Sequence, residues 1–229
     1  MFVLTRISDV IAIHPMLFDG DYTKVLKEEI DRKYCNKVIA DVGLCISVYD
    51  FIAIGDALIH PSEGDSHTQV EFRMIVFRPF IGEVLKGKIL SCNENHIRIT
   101  MEFMQDILIP SYALQTPSHF DTYERLWVWT FTDSAEKFHM DLNEEIRFRV
   151  TNVNFTQVHK TAKGMQATTS ESTEKKDKAS LKRGNLDDKR RRLSSVDLSD
   201  SDPTPSAMQI LGTIDEDGLG LTSWWIEAS

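Results

Sequence analysis

The sequence predicts an α+β protein in two folded parts: a sheet domain with one helix, then a small closed β-barrel interrupted by a long disordered insertion. Three observations carry this expectation. Residues 1–80 combine a helical apolar stripe with period-two strand patterns. Residues 81–155 hold five short strand-like runs separated by turn residues, with no helical pattern of any length. The closing stretch "MQILGTIDEDGLGLTSWWIEAS" (208–229) restores large apolar side chains after about fifty residues nearly without them.

The elements follow in chain order. "FVLTRISDVIAI" (2–13) alternates as a half-buried strand does, and Arg6 and Asp9 within it exclude a signal peptide. "DGDYTKVLKEEIDRKY" (19–34) is a helix with Asp21 as N-cap; Val25, Leu26, Ile30 and Tyr34 form its apolar stripe. Lys24 at the third helical position leaves the capping box incomplete. The β-branched and aromatic run 37–54 is strand. "HPSEGDSH" (60–67) is a turn cluster, followed by "TQVEFRMIVFRPF" with Val70, Phe72, Met74 and Val76 on one face. The five runs beyond it are 82–92, 96–103, 106–114, 125–131 and 144–155. Gly82 and Gly87 in the first point to the strong coiling of a small barrel.

Residues 156–207 contain no aromatic side chain and too little apolar surface to offset their ordering entropy, so they are expected to be disordered. A loop of that length inside a domain costs only a few kcal/mol, because closure entropy grows with the logarithm of length. The expected domains are therefore 1–80, a barrel made of 81–155 plus 208–229, and the insertion 156–207.

Composition bounds the function. At 229 residues and 41% hydrophobic, the chain is long enough for one or two domains. No run approaches the ~18 apolar residues of a membrane span, so no membrane partner is expected. Cys35, Cys45 and Cys92 lack CxxC spacing, which points to reduced, buried thiols in an intracellular protein, without disulfide or zinc. The net charge of −9 conceals a split: 156–207 carry 11 Lys/Arg against 8 Asp/Glu, while the rest carries 15 against 27. An acidic folded portion cannot hold nucleic acid by bulk electrostatics, so any such binding needs a local cationic patch. HExxH, GxSxG, Walker and Cys-His signatures are all absent from the sequence, and neither catalysis nor a cofactor is expected.

"GEVLKGKI" (82–89) followed by "DILIPSYAL" (106–114) resembles the opening of an OB-fold RNA-binding domain of the type found in a ribosomal protein. Together with "MFVL", "HTQVEFRMIVFRPF", "LWVWTF" and "GLGLTSWW", these motifs resemble the family of the larger stalk subunit of RNA polymerase III. That family is related to the larger stalk proteins of archaeal RNA polymerase and of polymerase II. The resemblance covers about 1–155 and 208–229. It implies an N-terminal truncated RNP-like domain whose tip meets the polymerase III core, and an OB domain facing emerging RNA. It further implies a smaller helical stalk subunit as partner, a nuclear location and a contribution to initiation on transfer RNA, 5S ribosomal RNA and other short genes. A free-standing OB-fold RNA-binding protein of translation or RNA processing is the alternative.

Each expected site has a plainer reading beside it. Pro61, Gly64 and Asp65 in the turn match the family's core-contacting tip, and otherwise make an ordinary hairpin loop. Lys86, Lys88, His96 and Arg98 on the first two barrel strands, with Tyr112 and then His119 and Phe120 after the third, offer the cations and rings that weak, non-specific single-stranded RNA binding needs; otherwise they solvate a strand face. Trp127 and Trp129 alternate with Leu126 and Val128, so that strand is expected to be buried on both sides. Trp224 and Trp225, if extended, point to opposite sides, one into the core and one toward the partner subunit. Within the insertion, "KRRR" (189–192) resembles a nuclear localisation signal, and Ser194, Ser195, Ser199 and Ser201 are candidate phosphorylation sites that would mask it.

Overall fold

The structure, a computed structural model, describes residues 1–59, 64–131, 136–161, 164–171, 194–198 and 206–225. It divides into two compact units, Met1–Pro79 and Phe80–Ser229.

The first unit is a four-stranded antiparallel sheet carrying one helix. β1 (Phe2–Ile13), β2 (Val38–Ile39), β3 (Gly43–Ile59) and β4 (Ser66–Phe77) lie in the order β1-β4-β3-β2. β1 and β4 pair from Phe2↔Phe77 to Ile13↔Ser66 without a slip. β3 pairs with β4 through four register irregularities, each of which strengthens the local twist. The expected strand over 37–54 is split, because the chain turns at Asp41 in a left-handed conformation, φ 60°. Val70, Phe72, Met74 and Val76 are all fully buried, as their alternation requires.

α1 (Tyr22–Tyr34) starts where Asp21 accepts the Thr23 N–H at 3.1 Å. It lays Val25, Leu26 and Ile30 on Ile11, Ile13, Cys45, Val48 and the buried face of β4. Burial of each large side chain stabilises by about 1.5–3 kcal/mol. Two polar ties fix the helix: the Tyr34 hydroxyl donates to Asp9 at 2.6 Å, and Asp31 accepts the Val48 N–H at 3.0 Å.

The second unit is a closed five-stranded barrel. β5 (Val84–Cys92), β6 (His96–Thr100), β7 (Ile107–Pro110) and β11 (Glu145–Thr161) supply four staves. The fifth is β14 (Met208–Thr213), which pairs antiparallel with β11 and parallel with β7, while β11 also pairs with β5. The ring β5-β6-β7-β14-β11-β5 is that of an OB fold. Its closing stave comes from the C-terminal segment, whose two edges are both used. Leu85, Ile89, Ile97, Ile99, Ile107, Ile109, Ile146, Phe148 and Ile210 fill the interior. Gly87 lets β5 and β6 close in: a Cβ there would lie 2.5 Å from Ile99 Cγ2. β15 (Gly220–Leu221) adds a short pairing to β11.

One strand departs from the expectation. β9 (Leu126–Thr130) is outside the barrel, in a separate three-stranded sheet between β8 (Ser118–Asp121) and β10 (Lys137–His139). β8 and β10 are too short and polar to show a period, so only the aromatic middle strand is visible in the sequence. Trp127 and Val128 are buried, whereas Trp129 is half-buried. Within 156–207, the described parts are the end of β11, β12 (Gly164–Glu171) and β13 (Ser194–Leu198), which extend the sheet in the order β13-β12-β11, and residues 206–207 leading into β14. Threonines at 156, 161, 168 and 169 suit such a ladder.

Candidate nucleic-acid interface

The outer barrel face is built by strand alternation. Along β5, Leu85, Gly87 and Ile89 turn inward, so Lys86 and Lys88 turn out and are exposed. β11 lies alongside with Arg147 opposite Lys86 and Glu145 opposite Lys88; on the other side Thr100 of β6 faces Lys88. A depression of about 200 Å³ forms here, lined by Lys86, Lys88, Thr100, Met101, Glu102 and Glu145. Among the described residues neither lysine has an ion-pair partner. The Arg147 Nε is shielded from solvent and has no acceptor among the described residues.

His96 and Arg98 share the outward side of β6. Arg98 is already committed: its Nε donates to the Gln105 carbonyl at 2.9 Å and its Nη2 to Asp106 at 2.6 Å. Its charge is largely spent within the chain, unlike those of Lys86 and Lys88. His96 sits opposite Pro110 and borders a second cleft beside the β8–β9 hairpin. Tyr112 follows β7 on a single 3-10 turn and is 82% exposed. That turn is held by the Ser111 N–H donating to the Asn95 carbonyl at 2.9 Å. His119 is exposed on β8, in the separate sheet. Thus Lys86, Lys88, His96 and Arg98 share one face, Tyr112 lies at its edge, and His119 belongs to a different surface.

Sequence reasoning overlooked Arg147. Its signal was present: Glu145, Arg147 and Arg149 alternate with the buried Ile146, Phe148 and Val150. Arg125, which borders the second cleft with the expected ring Phe120, carries no periodic signal.

The other expected sites fall as follows. Gly64 is exposed at φ 76° and Asp65 is half-buried just before β4; Pro61 lies outside the described residues. Trp224 and Trp225 are on a 3-10 turn (Thr222–Trp225) rather than an extended strand. Trp224 packs on Trp129 at 5.0 Å and Phe138 at 5.9 Å between ring centroids. Trp225 is 42% exposed, its Nε1 donating to the Leu219 carbonyl at 3.0 Å. Ser194 and Ser195 open β13, whereas Ser199, Ser201 and the 189–192 basic run lie outside the described residues. Among the described residues there is no cluster of three potential metal ligands, and no helix is long and apolar enough to cross a membrane.

A four-stranded α+β domain followed by an OB barrel, whose outer face carries Lys86 and Lys88 without an ion-pair partner among the described residues, defines a two-domain protein of the OB-fold class. The chain belongs to the RNA polymerase III subunit Rpc25 family, whose pattern matches residues 83–225. Residues 8–64 match the "SHS2 domain found in N terminus of Rpb7p/Rpc25p/MJ0397". Similar relatives include the DNA-directed RNA polymerase III subunit rpc8 of Schizosaccharomyces pombe, 39% identical over 98% of this chain and 100% of the relative. Subunit RPC8 of Bos taurus is 35% identical over 98% of both chains. The DNA-directed RNA polymerase II subunit RPB7 of Saccharomyces cerevisiae is 31% identical over 43% of this chain and 59% of its own.

Proposed function

We propose that this chain is the non-catalytic larger stalk subunit of RNA polymerase III, acting in the nucleus. It holds a smaller helical stalk subunit to the polymerase core and guides emerging RNA during transcription of transfer RNA, 5S ribosomal RNA and other short genes. Lys86 and Lys88, exposed on the open barrel face and without an ion-pair partner among the described residues, are the observation that carries the RNA-contacting part. His96 and Tyr112 supply rings near that face, His119 a further one on the adjacent sheet, and Arg98 a cation already balanced by Asp106. Core contact falls to the turn containing Pro61, Gly64 and Asp65. Partner contact falls to Trp225 and its neighbour Trp224, which packs on Trp129 and Phe138.

Binding of single-stranded RNA to the full chain, titrated against salt, tests the RNA reading. Each phosphate contact contributes about −0.7 to the log–log salt slope for single strands. Lys86→Gln with Lys88→Gln is therefore expected to flatten the slope by about 1.4. Salt-insensitive tight binding, or an unchanged slope, overturns the stripe. Affinity capture from nuclear extract tests the assembly: recovery of the chain without a small helical partner overturns the stalk reading.

A further inference from the structure

We infer that the cleft between the β5–β6 turn and the β8–β9 hairpin is a receptor for one base of single-stranded RNA, with Phe120 as its stacking surface. The inference rests on the RNA-facing barrel proposed above and extends it to a second, base-binding element.

The cleft has about 520 Å³ and is bordered by Asn93, Glu94, Asn95, His96, Phe120 and Arg125, a size within the range of small-molecule sites. Its walls are tied together before any ligand arrives. The Trp127 Nε1 of β9 donates to the Asn93 carbonyl at 2.9 Å, joining the two sheets. The Asn93 N–H donates to the His96 carbonyl at 2.9 Å, closing the β5–β6 turn. On the opposite wall, Asp121 accepts the Tyr123 N–H at 2.8 Å and orders the hairpin. Phe120 rests tilted against Trp127, with centroids 5.6 Å apart, and stays partly exposed. A ring held in this way loses little freedom on stacking, and pre-organisation of that kind favours affinity.

The polar groups select a base over a phosphate. Asn93 and Asn95 each carry donors and an acceptor, and Glu94 adds an acceptor; all three are exposed. A base edge presents both kinds of partner. A phosphate presents acceptors alone, and Glu94 would repel it. Arg125 stands at the rim, exposed, at φ 55°. The neighbouring Glu124 carboxylate lies 3.4 Å from His139, and among the described residues Arg125 has no ion-pair partner, which leaves it for the sugar-phosphate. His96 links the cleft to the lysine stripe: from Thr100, which faces Lys88, β6 runs about 13 Å to His96 at the strand rise of ~3.3 Å per residue.

The test compares a labelled RNA octamer with a sugar-phosphate octamer lacking bases, both bound to the full chain at low salt. Phe120→Leu keeps an apolar side chain over Trp127 but removes the π face. It is expected to weaken the RNA about 5- to 150-fold, the range of one lost base stack, and to leave the baseless octamer unchanged. Arg125→Asn, which tolerates the left-handed backbone and disturbs no packing, is expected to weaken both ligands and flatten the salt slope by about 0.7. Lys86→Gln with Lys88→Gln weakens both ligands equally. If Phe120→Leu binds the RNA within about twofold of the wild type while the lysine variant weakens both ligands, the cleft is overturned and the stripe stands. If the wild type binds neither ligand, the RNA-facing barrel itself is overturned.

Discussion

Replacing Ile210 by alanine tests whether the C-terminal segment is a structural stave of the barrel. Ile210 is fully buried, with Val153 of β11 on one side and Ile107 of β7 on the other. Its N–H also donates to the Asp106 carbonyl at 3.0 Å, a bond the substitution leaves in place. Alanine removes three carbon atoms, about 2.4 kcal/mol of transfer energy at ~0.8 kcal/mol each. The residual cavity brings the expected loss to about 2–5 kcal/mol. The four tryptophans, at 127, 129, 224 and 225, all belong to the second unit, so intrinsic fluorescence follows that unit alone. With a urea m-value of about 2 kcal/mol/M, a loss of about 3 kcal/mol lowers the midpoint by about 1.5 M. Ile54→Ala in β3, at a position 40% exposed in the other unit, serves as control and leaves the tryptophan transition in place. An Ile210→Ala change within about 0.5 kcal/mol, the range of surface substitutions, would refute the closed barrel.

Further consequences follow from individual contacts. Gly220→Ala would place a Cβ 2.4 Å from Trp224 Cζ3 at φ 98°. A destabilisation of about 1–3 kcal/mol and altered tryptophan emission are expected; an unchanged spectrum and midpoint would count against the Trp224 contact. Burial pushes the Asp9 carboxyl upward, but donation from Lys33, Tyr34 and the Val10 N–H outweighs it and holds the group below its ordinary value. Asp9 therefore contributes stability above about pH 4 that is lost as pH falls through its folded value, and the deficit of Asp9→Asn relative to wild type should shrink on acidification in pH-resolved urea titrations. Burial, then the hydrogen bond to Asp31, raises the Cys35 thiol to about 12; burial raises Cys92 to about 11 and also lifts Cys45. A thiol assay at pH 8 should show slow reaction in the native protein and three fast thiols in urea.

How much of this was legible in the sequence depended on whether an element had a period to display. β4 shows one because a single face meets α1 and the other meets solvent, and Asp21 announces the helix through its capping chemistry. The four early barrel staves were visible for the same reason. β8 and β10, with four and three residues, are too short to repeat a pattern, so β9 was read as a barrel strand. Its partners are chosen instead by the aromatic cluster of Trp129, Phe131, Phe138 and Trp224, a long-range match that no local window contains. The functional face was legible as far as parity reaches: Lys86 and Lys88 follow from alternation. That Arg98 is balanced by Asp106, eight residues away across the β6–β7 connection, and that Phe120 faces His96 across a cleft, follow only from tertiary placement.

The return of the chain after its excursion has an energetic explanation in the register. Phe155 and Met208 are direct partners across the β11–β14 ladder, so the 52 residues between them leave and re-enter the barrel at adjacent points. Relative to a four-residue hairpin turn, an open loop of that length would be between three and four doublings, at most about 2 kcal/mol of extra closure entropy at ~0.6 kcal/mol each, and the β11–β12–β13 pairings within it shorten the open part. Met208, Ile210, Ile214, Leu219 and Leu221 are all buried on return, and two such side chains suffice to offset the closure term at about 1.5–3 kcal/mol apiece. The barrel therefore tolerates a long, charged, serine-bearing segment at this one edge because the strand that follows is held on both sides. The same segment between β5 and β6 would separate the lysine stripe from the base cleft, whose geometry depends on the short turn at Asn93–Asn95.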